Sequence, residues 1–73
     1  MNKHKQSKSS VIFQTIWTNE GATSQEISDE LALNGYDMPV KGKLKPMLQA
    51  YRRLGWLVKD KETGKWQVGP VAP

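Results

Sequence analysis

Three helices closed by a C-terminal β-hairpin, a small α+β domain, are what this 73-residue sequence predicts. Three observations carry that expectation. Apolar residues recur at helical spacing in three separate stretches. Residues that start or stop helices bound those stretches: Ser9-Ser10, Thr23 and Pro46 at the beginnings, Gly21, Gly35 and Gly55 at the ends. Beyond Gly55, two short β-prone runs, Leu57-Val58 and Trp66-Gln67-Val68, flank the turn-rich link Asp60-Lys61-Glu62-Thr63-Gly64.

Residues 1–9 open the chain with lysines, polar residues and no apolar anchor after Met1, so a flexible basic tail is expected there. A lone histidine in such a tail, His4, receives no role. The folded domain is expected to span residues 10–69, with residues 70–73 as a second tail. From Ser9 or Ser10 the pattern turns helical, and the serines can cap its start. Ile12 with Ile16, and Phe13 with Trp17, are i,i+4 pairs that form one wide apolar face, which puts Phe13 and Trp17 in the core. Asn19-Glu20-Gly21 ends this helix, and Ala22-Thr23 leaves room for a very short extended piece.

Thr23-Ser24-Gln25-Glu26 has the form of a capping box, in which the Thr23 hydroxyl accepts from the Glu26 amide while the Glu26 carboxylate reaches back to the Thr23 amide. Helix two is therefore expected to start at Ser24. Ile27 and Leu31 point inward, Glu26, Asp29 and Glu30 point outward, and Asn34-Gly35 stops it. Tyr36-Asp37-Met38-Pro39 reads as a connection. Helix three begins between Lys41 and Lys45, because Pro46 lacks an amide hydrogen and fits only the first turn. Its apolar positions are Leu44, Leu48, Tyr51 and Leu54, and Gly55 follows where a left-handed residue is cheapest. In the hairpin, Trp66 and Val68 share a face with Leu57 across from them, and Lys59, Lys61 and Lys65 gather towards the tip. Strict alternation turns Trp56 away from Leu57's side, so it either packs on helix one or contacts a partner.

The chain has no cysteine, which excludes disulfides, thiolate metal sites and cysteine nucleophiles, and a reducing cytoplasm or nucleus suits it. The polar residues Gln14, Thr15 and Thr18 interrupt the only apolar run near the N-terminus, so neither an export signal nor a membrane span is expected. A chain of this size buries only about 60% of the surface its unfolded form exposes, leaving little space for a catalytic pocket. No nucleophile with its base, metal cluster or glycine-rich phosphate loop is present, so enzyme activity, cofactors and small-molecule substrates are not expected.

Charge is segregated along the chain. Residues 1–10 carry +3, residues 11–40 carry −5 and residues 41–73 carry +6, within a net charge of +4. Such a split makes one face attract polyanions and another repel them. Lys41, Lys43 and Lys45 also crowd the positive end of helix three, an unfavourable arrangement that an arriving phosphate relieves.

The order helix, short strand, helix, helix, strand, wing, strand resembles the winged-helix family of helix-turn-helix domains. The resemblance rests on Gly21-Ala22-Thr23-Ser24, Ile27 and Leu31, then Leu44, Leu48, Tyr51, Gly55, Leu57 and Trp66, and covers residues 10–69. It implies a third helix docked in the major groove of double-stranded DNA and a β-hairpin wing on the flanking backbone or minor groove. Carried over, the DNA-binding residues are Lys41, Lys43, Lys45, Gln49, Arg52, Arg53, Lys59, Lys61 and Lys65, with Pro46 and Ala50 on the same side. Gln49 can pair with adenine and arginine with guanine, while lysines chiefly meet phosphate. Arg53 can instead bind an acid of helix two or cover the core with its stem.

One branch of the family binds left-handed Z-form nucleic acid. Alignment on Gly55 puts that branch's essential Asn and Tyr at Lys45 and Gln49, so the Z-form reading is rejected. The expected function is that of a small transcriptional regulator or accessory factor, nucleoid-associated if bacterial or phage. The alternative is a winged-helix adaptor for a protein partner, or self-association, with Trp56, Val58 and Tyr36 as its candidate apolar contacts.

Overall fold

The structure, a computed structural model, describes residues 6–71. Three helices, α1 (Lys8–Thr18), α2 (Ser24–Leu33) and α3 (Lys45–Arg53), precede an antiparallel hairpin of β1 (Leu57–Lys59) and β2 (Trp66–Val68). This is the expected α+β architecture, with a winged-helix-like order of elements. His4, Lys3 and Lys5 lie outside the described residues, as do positions 72 and 73.

Helix α1 starts at Lys8, one or two residues before the expected point, because Ser7 is the residue that caps it and accepts from the Ser10 amide at 3.2 Å. Its buried face is Val11, Ile12, Thr15 and Ile16. Thr15 tolerates burial because its hydroxyl donates to the Val11 carbonyl at 2.7 Å. This choice of face corrects the expectation for Trp17. Successive helical residues turn by about 100°, so a core face centred between Val11 and Ile16 puts Trp17 on nearly the opposite side, where it is 75% exposed. Phe13 is rescued by its neighbours: its ring lies 5.6 Å from Tyr51 and 6.4 Å from Trp56. Trp56 thus packs on α1, the first of its two expected fates.

The capping box of α2 is formed, with Glu26 N–H donating to Thr23 Oγ1 at 3.1 Å and Thr23 N–H to Glu26 Oε1 at 2.8 Å. All three helices end in the same double closure, a Schellman motif. Gly21, Tyr36 and Trp56 donate back to the carbonyls of Ile16, Leu31 and Tyr51, and the residue before each donates to Trp17, Ala32 and Arg52 respectively. This geometry requires a left-handed residue after the helix. Gly35 (φ 87°) and Gly55 (φ 80°) supply it for α2 and α3, but α1 uses Glu20 at φ 55°. At α3 the closure is sealed by the Tyr51 and Trp56 rings, 5.1 Å apart. Leu54, the last apolar position of the α3 pattern, is 54% exposed: it keeps the helical hydrogen bond to the Ala50 carbonyl but lies about 90° round the helix from the face of Leu48 and Tyr51.

The core joins Ile12 and Ile16 of α1, Ile27 and Leu31 of α2, Leu44 and Leu48 around α3, and Leu57 and Trp66 of the hairpin. Met38, in the connection after α2, also turns inward. The hairpin register pairs Leu57 with Val68 and Lys59 with Trp66, so Leu57, Trp66 and Val68 share the helix-facing side as expected. Ala22 and Trp66 exchange both backbone hydrogen bonds, 2.7 and 3.1 Å, which makes Ala22 a one-residue third strand. Past β2 the chain does not leave the fold at once: Gly69 N–H donates to Trp56 O and Val71 N–H to Gly55 O. A Cβ at Gly69 would lie 2.3 Å from the Gly55 carbonyl oxygen, so this return path admits only glycine there.

A non-glycine residue in the left-handed region costs roughly 1–2 kcal/mol. Glu20→Gly is therefore expected to raise the stability of the domain by about 0.5–1 kcal/mol after the added freedom of the unfolded chain is deducted. Urea unfolding followed by circular dichroism checks it, and a loss of stability would contradict the assigned closure.

Candidate nucleic-acid interface

The chain reaches α3 through one kinked turn, Val40–Leu44, in which Gly42 breaks the helical path (φ −107°, ψ −115°). Gly42 and Leu44 both donate to the Pro39 carbonyl, at 3.0 and 3.4 Å. A Cβ at Gly42 would come within 2.9 Å of the Pro39 ring, so glycine is what lets the turn fold this tightly. The turn carries Lys41 and Lys43 outward on either side of Gly42, and Leu44 inward. Lys45 then opens α3 with Pro46 in its first turn. Both lysines of the turn and Lys45 are exposed at the positive end of α3, with no acidic residue in its first turn.

Lys45, Gln49 and Arg52 follow at i, i+4 and i+7 and form one stripe along α3; Pro46, Ala50 and Arg53 form the adjoining stripe. Gln49 is half-buried, and the other five are exposed. Arg52 and Arg53 sit in the last turn, where the negative end of the helix suits them.

A surface hollow of about 220 Å³ brings several of these groups together. Lys41, Lys45 and Gln49 line it from the turn and α3, and Lys59 from β1. Ser24, at the start of α2, Trp66, Val40 and Leu48 complete the lining. Three lysines from three elements therefore line one space, and none of its lining residues is acidic. Trp66 does the placing: its indole N–H donates to Ser24 Oγ at 2.9 Å, and its ring holds the Lys59 ammonium at 5.4 Å from the ring centre.

Other sequence-predicted residues lie elsewhere. Lys43, Arg52 and Arg53 do not line the hollow. The wing lysines separate rather than gather at one tip. Lys59 turns back over Trp66, while Lys61 is exposed in the loop Asp60–Gly64. That loop is closed by Asp60 N–H to Lys65 O and Gly64 N–H to Asp60 O, and the Asp60 carboxylate accepts from Glu62 N–H. Lys65 is half-buried and lies close enough to Glu26 to act on it. The Glu26 carboxyl is held below the ordinary glutamate range, first by the hydrogen bond from the Thr23 backbone, which outweighs the opposing effect of desolvation, and then by the smaller contributions of the Thr23 hydroxyl and the Lys65 ammonium.

Ser24 and Trp66 are the site residues that sequence reasoning missed. Ser24 was legible only as the first residue of a capped helix and Trp66 only as core. Nothing in the linear sequence relates them to each other or to Lys41.

Among the described residues no helix is long and apolar enough to cross a membrane, and no three His, Cys, Asp or Glu side chains are grouped to hold a metal ion. Comparison with family models, characterised proteins and solved structures finds no match to this chain.

The depressed Glu26 pKa has a defined sign. A carboxyl with a lower pKa folded than unfolded stabilises the fold above its unfolded value, and that contribution disappears as pH falls through the folded value. The capping contribution should therefore be level above about pH 5 and decline as pH falls below about 4.3, the ordinary glutamate value. Glu26→Gln keeps an oxygen for the Thr23 amide without a titrating group, so its unfolding midpoint should fall less steeply with acid than that of the parent chain. Parallel acid profiles would remove Glu26 from the acid response.

Proposed function

We propose that this chain is a small DNA-binding protein of winged-helix type, acting as a transcriptional regulator or accessory factor. The observation that supports it most is the convergence of Lys41, Lys45 and Lys59 on one acid-free hollow beside the Gln49 stripe of α3. Phosphate fits such a space by charge, and a duplex lying along it meets Lys45, Gln49 and Arg52 in succession. The lysines and the wing fix position on the backbone, and Gln49 and Arg52 read base edges. The exposed acids of α2, Asp29 and Glu30, then belong to the side away from the duplex. The adaptor alternative relied on Trp56, Val58 and Tyr36; the packing of Trp56 against Phe13 and Tyr51 weighs against it.

Two measurements test the proposal. With about five phosphates neutralised, the affinity for duplex DNA should fall with salt at a log-log slope of about −4 to −5. A slope near zero would defeat the electrostatic model. Asp29→Ala should leave affinity unchanged or slightly raised.

The second measurement separates positioning from reading, using a preferred site selected from a random pool. Lys61→Ala should weaken cognate and random duplexes equally. Gln49→Ala should reduce preference for the cognate site by about 1–3 kcal/mol and leave random-sequence binding largely intact. Selection that enriches nothing, together with unchanged affinity in both variants, would defeat the assignment of α3.

A further inference from the structure

Trp17 leaves a second surface feature outside the basic hollow. It stands 75% exposed at the C-terminal end of α1, beside a groove of about 430 Å³ lined by Ile16, Trp17, Glu20, Gln67 and Val68. None of these residues lines the basic hollow, so an occupant here leaves Lys41, Lys45, Lys59 and Gln49 open. We infer that this face is a self-association surface, on which two copies of the chain pair about a twofold axis with Trp17 of each seated in the groove of the other.

Two features select a second copy as the occupant. In a twofold contact each surface patch meets its own duplicate, so both the projecting group and its receptor must lie on one face. Trp17 and the groove do so: the exposed Trp17 itself lines the groove together with Ile16, Gln67 and Val68. The same symmetry sets like charges against each other, which restricts the contact to a neutral surface. After Lys8, α1 has no charged residue up to Thr18, whereas residues 11–40 as a whole carry −5 and residues 41–73 carry +6. Glu20 is the single charged lining residue of the groove and is exposed, where salt screens it. A basic or acidic partner would find little complementary charge on α1, and in a copy of the same face the two exposed Glu20 carboxylates are the like charges the groove brings together.

The groove also offers backbone groups. Trp66 directs its N–H and C=O to Ala22, Gly69 directs its N–H to Trp56, and the alternation of an antiparallel strand turns Val68 to the Ala22 side, towards the groove. An indole N–H arriving from the second copy therefore has an acceptor within the surface it covers. Burial of two Trp17 side chains, about 150–250 Å² each, makes a contact well below the ~800 Å² per partner of a standard interface. A dissociation constant between about 10 µM and 1 mM is expected, and two adjacent half-sites on one duplex would raise the effective concentration.

Sedimentation equilibrium of the full chain without nucleic acid tests this, independently of the DNA-binding proposal. As concentration rises to about 1 mM, the average mass should climb from 8.3 kDa towards twice that value and fit a monomer–dimer equilibrium, with no larger species. Trp17→Ala and Trp17→Lys should remain monomeric with an unchanged unfolding midpoint; Trp17→Lys retains a long stem but sets two like charges together. Leu33→Ala and Leu54→Ala, which shorten exposed apolar side chains elsewhere, should associate like the parent chain. A chain that is monomeric throughout, a mass that climbs past two copies without a plateau, or doubling that survives both Trp17 substitutions would each overturn the inference.

Discussion

The paired hydrogen bonds between Trp66 and Ala22 hold the wing to the helices, and the places of Ser24 and Lys59 at the hollow depend on them. A two-stranded hairpin of three residues per strand is not stable alone. Here β2 gains a second neighbour at Ala22, and its Trp66 side chain, 2% exposed, reaches from the hairpin into the helical core. The indole N–H, bonded to Ser24, then sets the start of α2 against β2. Because Lys59 lies across the ladder from Trp66 and its ammonium rests on the same ring, the charge of Lys59 is placed by the buried Trp66 and not by the loop.

A second constraint operates at the other side of the hollow. Gly42 permits a turn so tight that Lys41 and Lys45 are carried to one side of Leu44, which is wholly buried. The core thereby anchors a cluster of like charges at the positive end of a helix, a combination that helix electrostatics alone disfavours. Packing of Leu44 and Leu48 stabilises the element by far more than exposed charges can oppose, since a buried leucine contributes about 1.5–3 kcal/mol and each exposed charge near a helix end less than about 1 kcal/mol. The fold can therefore present the cluster unpaired.

The helix ends show how much of this was local. Thr23 with Glu26, Gly35, Pro46 and Gly55 act through neighbours three to five residues away, and each behaved as local chemistry requires. Where a residue's fate depended on a distant element, local spacing was insufficient. The two stripes of α1, Ile12 with Ile16 and Phe13 with Trp17, are equally helical in sequence. α2 and β2 pack against the stripe that includes Val11 and Thr15, while Tyr51 and Trp56 cover Phe13 and leave Trp17 outside.

By itself, then, the sequence determined the elements: three helices with their caps, the hairpin and its inward face, and the segregation of acid into residues 11–40 and base into residues 41–73. These follow from backbone preferences and from spacing along one segment, which act within a turn or two of the residue concerned. Tertiary structure alone decided which cations share a space. Lys59 joins Lys41 and Lys45 while Lys65 turns to Glu26, and the hollow is completed by Ser24 and Trp66, residues 42 positions apart. The same is true of Trp17, whose exposure was settled by the face that the other elements left uncovered. The physical reason is common to both: charge attraction and apolar burial act across a few ångströms of space, whatever the distance along the chain.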